Sequence, residues 1–134
     1  MSIPGTTCRR ATVAIVEDEP CIAEPLKIAL EEAGFSVIVS DGSSFNNFLA
    51  SFKKAPCVFV CDMKLPGGSG ADLCRMMADR FPSCEIIVMT GAIDVSDAIA
   101  LRNGFQLPVL LRKPFSLECF LRLVSSLSEI RYSI

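Results

Sequence analysis

Apolar residues fall along this chain in two alternating rhythms. The first is the short, nearly unbroken run: Thr12-Val13-Ala14-Ile15-Val16, Phe35-Ser36-Val37-Ile38-Val39, Val58-Phe59-Val60-Cys61-Asp62, Glu85-Ile86-Ile87-Val88-Met89 and Val109-Leu110-Leu111. Such runs, bounded by turn residues or charges, suit strands buried on both faces in a parallel sheet. The second rhythm has helical spacing. Ile22, Leu26, Ala29, Leu30 and Ala33 make one helical face that Gly34 is placed to end, and Pro25 fits it only if the helix begins close to Pro20 or bends. Phe45, Phe48, Leu49 and Phe52 make a second face, with Ser43 or Ser44 as cap and Lys53-Lys54-Ala55-Pro56 as stop. Leu73, Met76, Met77 and Phe81 make a third, ended by Pro82. Val95, Ala98 and Ile99 make a fourth, capped by Asp94 or Ser96 and stopped by Asn103-Gly104. Leu117, Phe120, Leu121, Val124 and Leu127 make a fifth. Residues 1 to 11 are polar and irregular, as in a loose arm.

Strands alternating with helices imply an α/β fold: a doubly wound, five-stranded parallel sheet in the order 2-1-3-4-5, with five helices spread over both faces in three layers. At 134 residues there is room for one core, so residues 1–134 are expected to form a single domain, its folded part running from about 12 to 128.

Composition narrows the function. A hydrophobic fraction of 51% with net charge -2 describes a folded domain and argues against a basic nucleic-acid binder. No stretch is long and apolar enough to span a membrane, and the start Met1-Ser2-Ile3-Pro4-Gly5 has no leader pattern, so a cytoplasmic protein is expected. The seven cysteines are odd in number and form no C-x-x-C pair, and the chain has no histidine, which disfavours structural zinc. Cys57 and Cys61 read as buried, reduced thiols that behave as small hydrophobes.

The candidate chemistry sits where the strands end. Glu17 and Asp18 follow the first, Asp62 ends the third, Thr90 follows the fourth and Lys113 follows the fifth. A parallel sheet brings those ends to one edge, and the order 2-1-3-4-5 sets Asp18 beside Asp62 at the switch point. Clustered carboxylates repel unless a cation joins them. An all-oxygen set favours a hard ion, Mg²⁺, with Asp18 and Asp62 as direct ligands and Glu17 reaching it through water. Asp62 can then stay ionised and attack an electrophilic phosphorus, while Lys113 and Thr90 face the equatorial phosphoryl oxygens. Each group also has a plainer use. Asp62 could cap the next turn, Glu17-Asp18-Glu19 could favour a helix N-terminus, Thr90 could be a turn or cap residue, and Lys113 a surface charge. Gly67-Gly68-Ser69-Gly70 lacks the Gly-Lys-Ser/Thr of a phosphate loop and reads as a turn.

Strand-Glu17-Asp18-Glu19, strand-Asp62 with Pro66 and Gly70 following, strand-Thr90, and strand-Lys113-Pro114-Phe115 together resemble the signature of response-regulator receiver domains, over residues from about 12 to 128. The resemblance implies that Asp62 accepts a phosphoryl group from a sensor histidine kinase or a histidine phosphotransfer protein. It implies that Asp18, Asp62 and the Lys64 carbonyl hold Mg²⁺, with Glu17 as the other member of the acidic pair, and that Thr90 and Lys113 bind phosphoryl oxygens. It also implies a cis Lys113-Pro114 bond and a downstream protein partner on the fourth helix, last strand and fifth helix, within Leu101 to Leu127. Output would then come through protein contacts, or through further domains if the chain is a receiver cut from a longer protein. There are departures. Leu110 stands where the family's switch residue is usually aromatic, and Phe105-Gln106-Leu107-Pro108 lengthens the approach to Lys113. Gly91, after Thr90, leaves the phosphoryl group open to water or a partner, and Lys64 either reaches the crevice or points to solvent. Two alternatives follow. An aspartyl-phosphate phosphohydrolase commonly has a second aspartate two residues after the nucleophile, where this chain has Lys64. A receiver-like binding module without a working switch is suggested by Leu110.

Overall fold

The computed structural model describes residues 11–65, 68–91 and 108–132. Seven strands and four helices lie among them: β1 Thr12–Val16, α1 Pro20–Glu32, β2 Ser36–Ser40, α2 Phe45–Ala50, β3 Val58–Asp62, β4 Lys64–Leu65, β5 Gly68–Ser69, α3 Gly70–Arg80, β6 Glu85–Thr90, β7 Val109–Arg112 and α4 Leu117–Tyr132. The helix expected around Val95, Ala98 and Ile99, and the segment Phe105-Gln106-Leu107, lie outside the described residues.

Five strands form one parallel sheet in the order β2-β1-β3-β6-β7, which is 2-1-3-4-5 when only these strands are counted. The remaining two, β4 and β5, form a short antiparallel ladder directly after β3. Because side chains alternate along a strand, β3 feeds two cores at once. Val58 and Val60 join Val13, Ile15, Ile87 and Met89 under α1 and α4, where Leu26, Leu30, Phe120 and Val124 close the layer. Phe59 and Cys61 join Ala14, Val16 and Val88 under α2 and α3, with Phe45, Phe52, Cys74, Met77 and Phe81. Each large side chain so buried contributes about 1.5–3 kcal/mol, which ties the central strand to both helical layers.

The helix ends explain most boundaries. Pro20 occupies the first helical position, where its missing N–H costs nothing, and Pro25 is carried inside α1 with its ring exposed. At the other end Gly34 takes φ +101°, its N–H donates to the Glu31 carbonyl at 3.0 Å, and the Phe35 N–H donates to the Leu30 carbonyl at 3.0 Å. This glycine-dependent closure uses the Phe35 amide, so β2 starts at Ser36, one residue later than its apolar run suggests. Ser44 stands at the N-cap of α2 without a side-chain cap bond. Ser43 instead bonds Asp41 through its amide and hydroxyl at 2.9 and 2.6 Å.

Two expected core faces differ. In α3 the fully buried positions are Ala71, Cys74 and Met77, while Leu73 and Met76 are half-buried. Gly70 brings the first turn of α3 against the Asp62 backbone, so the small Ala71 and Cys74 face the sheet there, while Met77 and Phe81 are buried as expected and Leu73 and Met76 pack against the same core. The last strand, β7, lies at the sheet's edge with its side chains alternately half-buried and exposed. Leu110 is 51% exposed, and Leu117, expected on the buried face of α4, is 43% exposed. Ser116, not singled out by the pattern, caps α4 by accepting from the Cys119 amide at 3.0 Å. The described cysteines are all free thiols, with Cys57 and Cys61 buried as expected. No described helix is long and apolar enough to cross a membrane.

Candidate functional site

The carboxyl ends of β1, β3, β6 and β7 meet at one edge of the sheet, and each delivers a functional group there. Glu17 directly follows β1, and its amide continues the β1–β2 pairing by donating to the Ser40 carbonyl at 3.0 Å. Its side chain is turned inward, leaving the residue 2% exposed, and Oε2 accepts from the Glu19 amide at 3.2 Å. Asp18 is half-buried beside it. Asp62 closes β3 opposite Met89, is 7% exposed, and is held from both sides in the chain, since the Met63 amide donates to the Met89 carbonyl at 2.9 Å. Thr90 ends β6 and is 5% exposed.

Lys113 joins these groups across the chain. Its Nζ lies 3.2 Å from Glu17 Oε1 and 3.2 Å from Asp62 Oδ1, donating to both. The Lys113–Pro114 peptide is cis, as the resemblance implied. Burial pulls the ammonium toward neutrality, yet the carboxylates of Asp62 and Glu17 outweigh it and hold its pKa above the ordinary lysine value. Glu17 moves upward for the opposite reason: burial disfavours its charge and Asp62 adds repulsion, beyond what the Glu19 amide and Lys113 offset.

Carboxylate oxygens of Glu17, Asp18 and Asp62 all lie within 4.8 Å of one another. Oxygens bound to a single Mg²⁺ at about 2.1 Å stand roughly 3–4 Å apart in an octahedron, so the three groups lie close enough to share one ion, directly or through its bound water. Three carboxylates against one ammonium leave the pocket negative. An all-oxygen, anionic donor set fits a hard divalent cation.

The sequence-derived residues therefore separate by position. Glu17, Asp18, Asp62 and Lys113 come together, with Thr90 at the neighbouring strand end bonded through its carbonyl to the Lys113 amide at 2.7 Å. The Lys64 side chain is exposed. A Cβ built at Gly91 meets no atom of the described residues within 4 Å. Leu110 and Pro114 are exposed on the β7 side. What the pattern left unexplained is Gly70. A Cβ there would overlap the Asp62 carbonyl oxygen, and the Gly70 amide donates to the Met63 carbonyl at 2.8 Å. Read as a turn residue, it instead lets α3 abut the backbone of the site.

The sequence model of the response regulator receiver domain matches residues 13–125. The chain belongs to the response regulator receiver domain family. This receiver domain is 36% identical over 109 residues to the probable transcriptional regulatory protein TcrX of Mycobacterium tuberculosis, covering 80% of the chain and 45% of TcrX. It thus spans less than half of that relative. Among solved structures, a CheY-like receiver domain protein from Methanospirillum hungatei superposes with a TM-score of 0.80 at 20% identity, over 93% of this chain and 98% of that one, which shows the shared fold. The BeF₃-activated DrrB receiver domain superposes with a TM-score of 0.74 at 26% identity, over 90% of this chain and 99% of that one.

Proposed function

We propose that this receiver domain is the phosphoacceptor of a His-to-Asp phosphorelay, with Asp62 as the acceptor. The observation that carries the proposal is the single ammonium of Lys113 at 3.2 Å from both the Asp62 and Glu17 carboxylates, beside Asp18. An Asp62 oxygen forms the new O–P bond as the P–N bond to a phosphohistidine breaks, its electron pair leaving on the imidazole nitrogen. Lys113 holds Oδ1 and fixes the carboxylate in place, then stays beside the phosphoryl oxygens. Thr90 supplies a hydroxyl donor from the adjoining strand end. Asp18, Asp62 and the Lys64 carbonyl would hold Mg²⁺, with Glu17 reaching it through water. When bound, the ion supplies positive charge against the anionic oxygens of the transferring group.

The donor is a sensor histidine kinase or a histidine phosphotransfer protein. The chain acts as a signalling switch and catalyses only its own phosphorylation and slow dephosphorylation. Gly91 has no side chain and, among the described residues, no neighbour where one would stand, which leaves water a path to the acyl phosphate. Output runs through protein contacts on the β7 and α4 side, where Leu110 and Leu117 are exposed, and not through nucleic acid or membrane. A cytoplasmic location follows from such a donor. The resemblance to DrrB, a receiver described as BeF₃-activated, supports the acceptor role.

A small acyl-phosphate donor with Mg²⁺ is expected to add one base-labile phosphoryl group to the wild-type chain and none to Asp62→Asn, as read by intact mass. A phosphoryl group persisting on Asp62→Asn would remove Asp62 from the role.

A further inference from the structure

Asp18 and Asp62 would meet the proposed cation from the carboxyl ends of β1 and β3, but the Lys64 carbonyl belongs to the β4–β5 ladder, outside the main sheet. A backbone oxygen cannot swing to an ion as a side chain can, so whatever fixes the ladder fixes this ligand. One end is fixed by hydrogen bonds. The Met63 amide donates to the Met89 carbonyl at 2.9 Å, and the Met63 carbonyl accepts from the Gly70 amide at 2.8 Å. Beyond them lie two residue pairs, Lys64 with Ser69 and Leu65 with Gly68, and a two-stranded ladder so short is not stable by itself. Leu65 anchors it. A Cβ built on Gly42 would stand 3.4 Å from Leu65 Cδ1 and 3.4 Å from Val16 Cγ1, so the leucine side chain lies on the bare Cα of Gly42 beside Val16. Gly42 takes φ +91°, a conformation that favours glycine, and its amide donates to Ser40 Oγ at 3.1 Å. The Ser40 carbonyl in turn accepts from the Glu17 amide at 3.0 Å. Leu65 is thus seated against the strand end that carries Glu17 and Asp18, and the residue before it, Lys64, carries the carbonyl.

We infer that Leu65 is a positioning residue for the cation site: seated on Gly42 and Val16, it holds the Lys64 carbonyl in register with the acidic end of β1 and thereby sets the affinity for Mg²⁺. This role rests on the cation set proposed above. Mg²⁺ demands near-octahedral geometry and tolerates little play in its ligands, so the anchor matters to the ion beyond its share of the core. With the side chain cut back to a methyl group, the ladder keeps its bonds at Met63 and loses its hold at the tip. The carbonyl then spends less of its time where the ion needs it, and affinity falls. Losing a group that orients a metal ligand typically weakens binding about 10- to 100-fold, and the lower end is expected here because Asp18 and Asp62 follow sheet strands and not the ladder. A leucine that merely filled the layer under α2 and α3 would change stability and leave the ion's affinity as it is.

The test titrates the unphosphorylated full chain with Mg²⁺ alone and reads the rise in melting temperature at each concentration, which gives an apparent Kd independent of phosphoryl chemistry. Leu65→Ala is expected to raise that Kd about 10-fold and Leu65→Met to restore it. Leu49→Ala, which cuts back a leucine of α2 in the same apolar layer, is expected to lower the melting temperature without Mg²⁺ and leave the Kd unchanged. Leu65→Val, a smaller truncation, takes the place of Leu65→Ala if that variant does not fold. With a small acyl-phosphate donor, the Leu65 variant should need correspondingly more Mg²⁺ for half-maximal phosphorylation and reach the wild-type rate at saturation. A Leu65 variant that binds Mg²⁺ as tightly as wild type overturns the inference, as does an equal loss in Leu49→Ala. A wild-type chain that binds Mg²⁺ but accepts no phosphoryl group refutes the acceptor reading and leaves the anchor standing, whereas one that binds no Mg²⁺ removes the inference together with the cation set.

Discussion

The backbone amide of Lys113 donates to the carbonyl oxygen of Thr90 at 2.7 Å. This bond carries the β6–β7 pairing one step beyond Thr90 and Arg112, the last residues in register. A hydroxyl-bearing residue and an ammonium-bearing residue, distant in sequence, are thereby fixed to one backbone frame. The two side chains are positioned together and respond together to any shift of that frame.

Truncating either should therefore slow phosphorylation with little change in fold. Thr90→Ala and Lys113→Met are each expected to lower the acceptance rate by about 100-fold or more, the size typical of losing one oriented donor to a developing anion. Rapid-quench phosphorylation with circular dichroism as a fold control checks this, and Thr90→Ser, which keeps a hydroxyl, is expected to recover most of the rate.

Magnesium should raise the melting temperature of the wild-type chain, because a ligand that binds only the folded state stabilises it by an amount that grows with the logarithm of 1 + [L]/Kd. Asp18→Asn removes one of three converging carboxylates and is expected to weaken that shift strongly. A chelator should abolish both the shift and phosphorylation. Equal magnesium-induced shifts in Asp18→Asn and wild type would count against Asp18 as a ligand.

Gly70→Ala places a methyl group into the Asp62 carbonyl. Backbone cannot yield there as a flexible side chain would, so the cost is expected at about 1–3 kcal/mol in urea unfolding. Gly91→Ala, whose Cβ meets no described atom within 4 Å, should cost little by the same measurement.

Stability should vary with pH in two windows. The folded pKa of Lys113 is raised above 10.5, so its contribution is complete below that value and is lost as pH rises through the folded pKa. Glu17 is raised above 4.5, so the folded state binds its proton more tightly than the unfolded state does. The stabilisation is present below 4.5 and is lost as pH rises through the folded value. Chemical denaturation across pH should show both slopes in wild type. Lys113→Met should lack the alkaline slope and Glu17→Gln the acidic one.

Much of this architecture was legible because buried strands and helices impose different spacings on apolar residues. β1 and β3 fall where their runs lie, since both are flanked by neighbours in the sheet and hidden on both faces. The edge position of β7 follows from the expected strand order, but the exposure of Leu110 does not follow from Val109-Leu110-Leu111 itself, whose composition is that of an interior strand. On α3 the expected Met77 and Phe81 are buried and Leu73 and Met76 pack against the same core, but Ala71 and Cys74 were missed, because the close approach at Gly70 brings small residues against the sheet there. At the site, charged residues stopping apolar runs revealed the meeting of Glu17, Asp18, Asp62 and Lys113. The simultaneous grip of Lys113 on two carboxylates depends on three-dimensional distances that no spacing encodes.

Lys113 follows β7, the outermost strand of the sheet, which is hydrogen-bonded to β6 alone. The acidic groups it pairs with belong to the two innermost strands, hidden under both helical layers. Negative charge is thus anchored in the buried middle of the sheet, while its counter-charge hangs from the margin. Under the proposed function, a protein that grasped that margin would shift the electrostatic balance at Asp62 without touching the crevice.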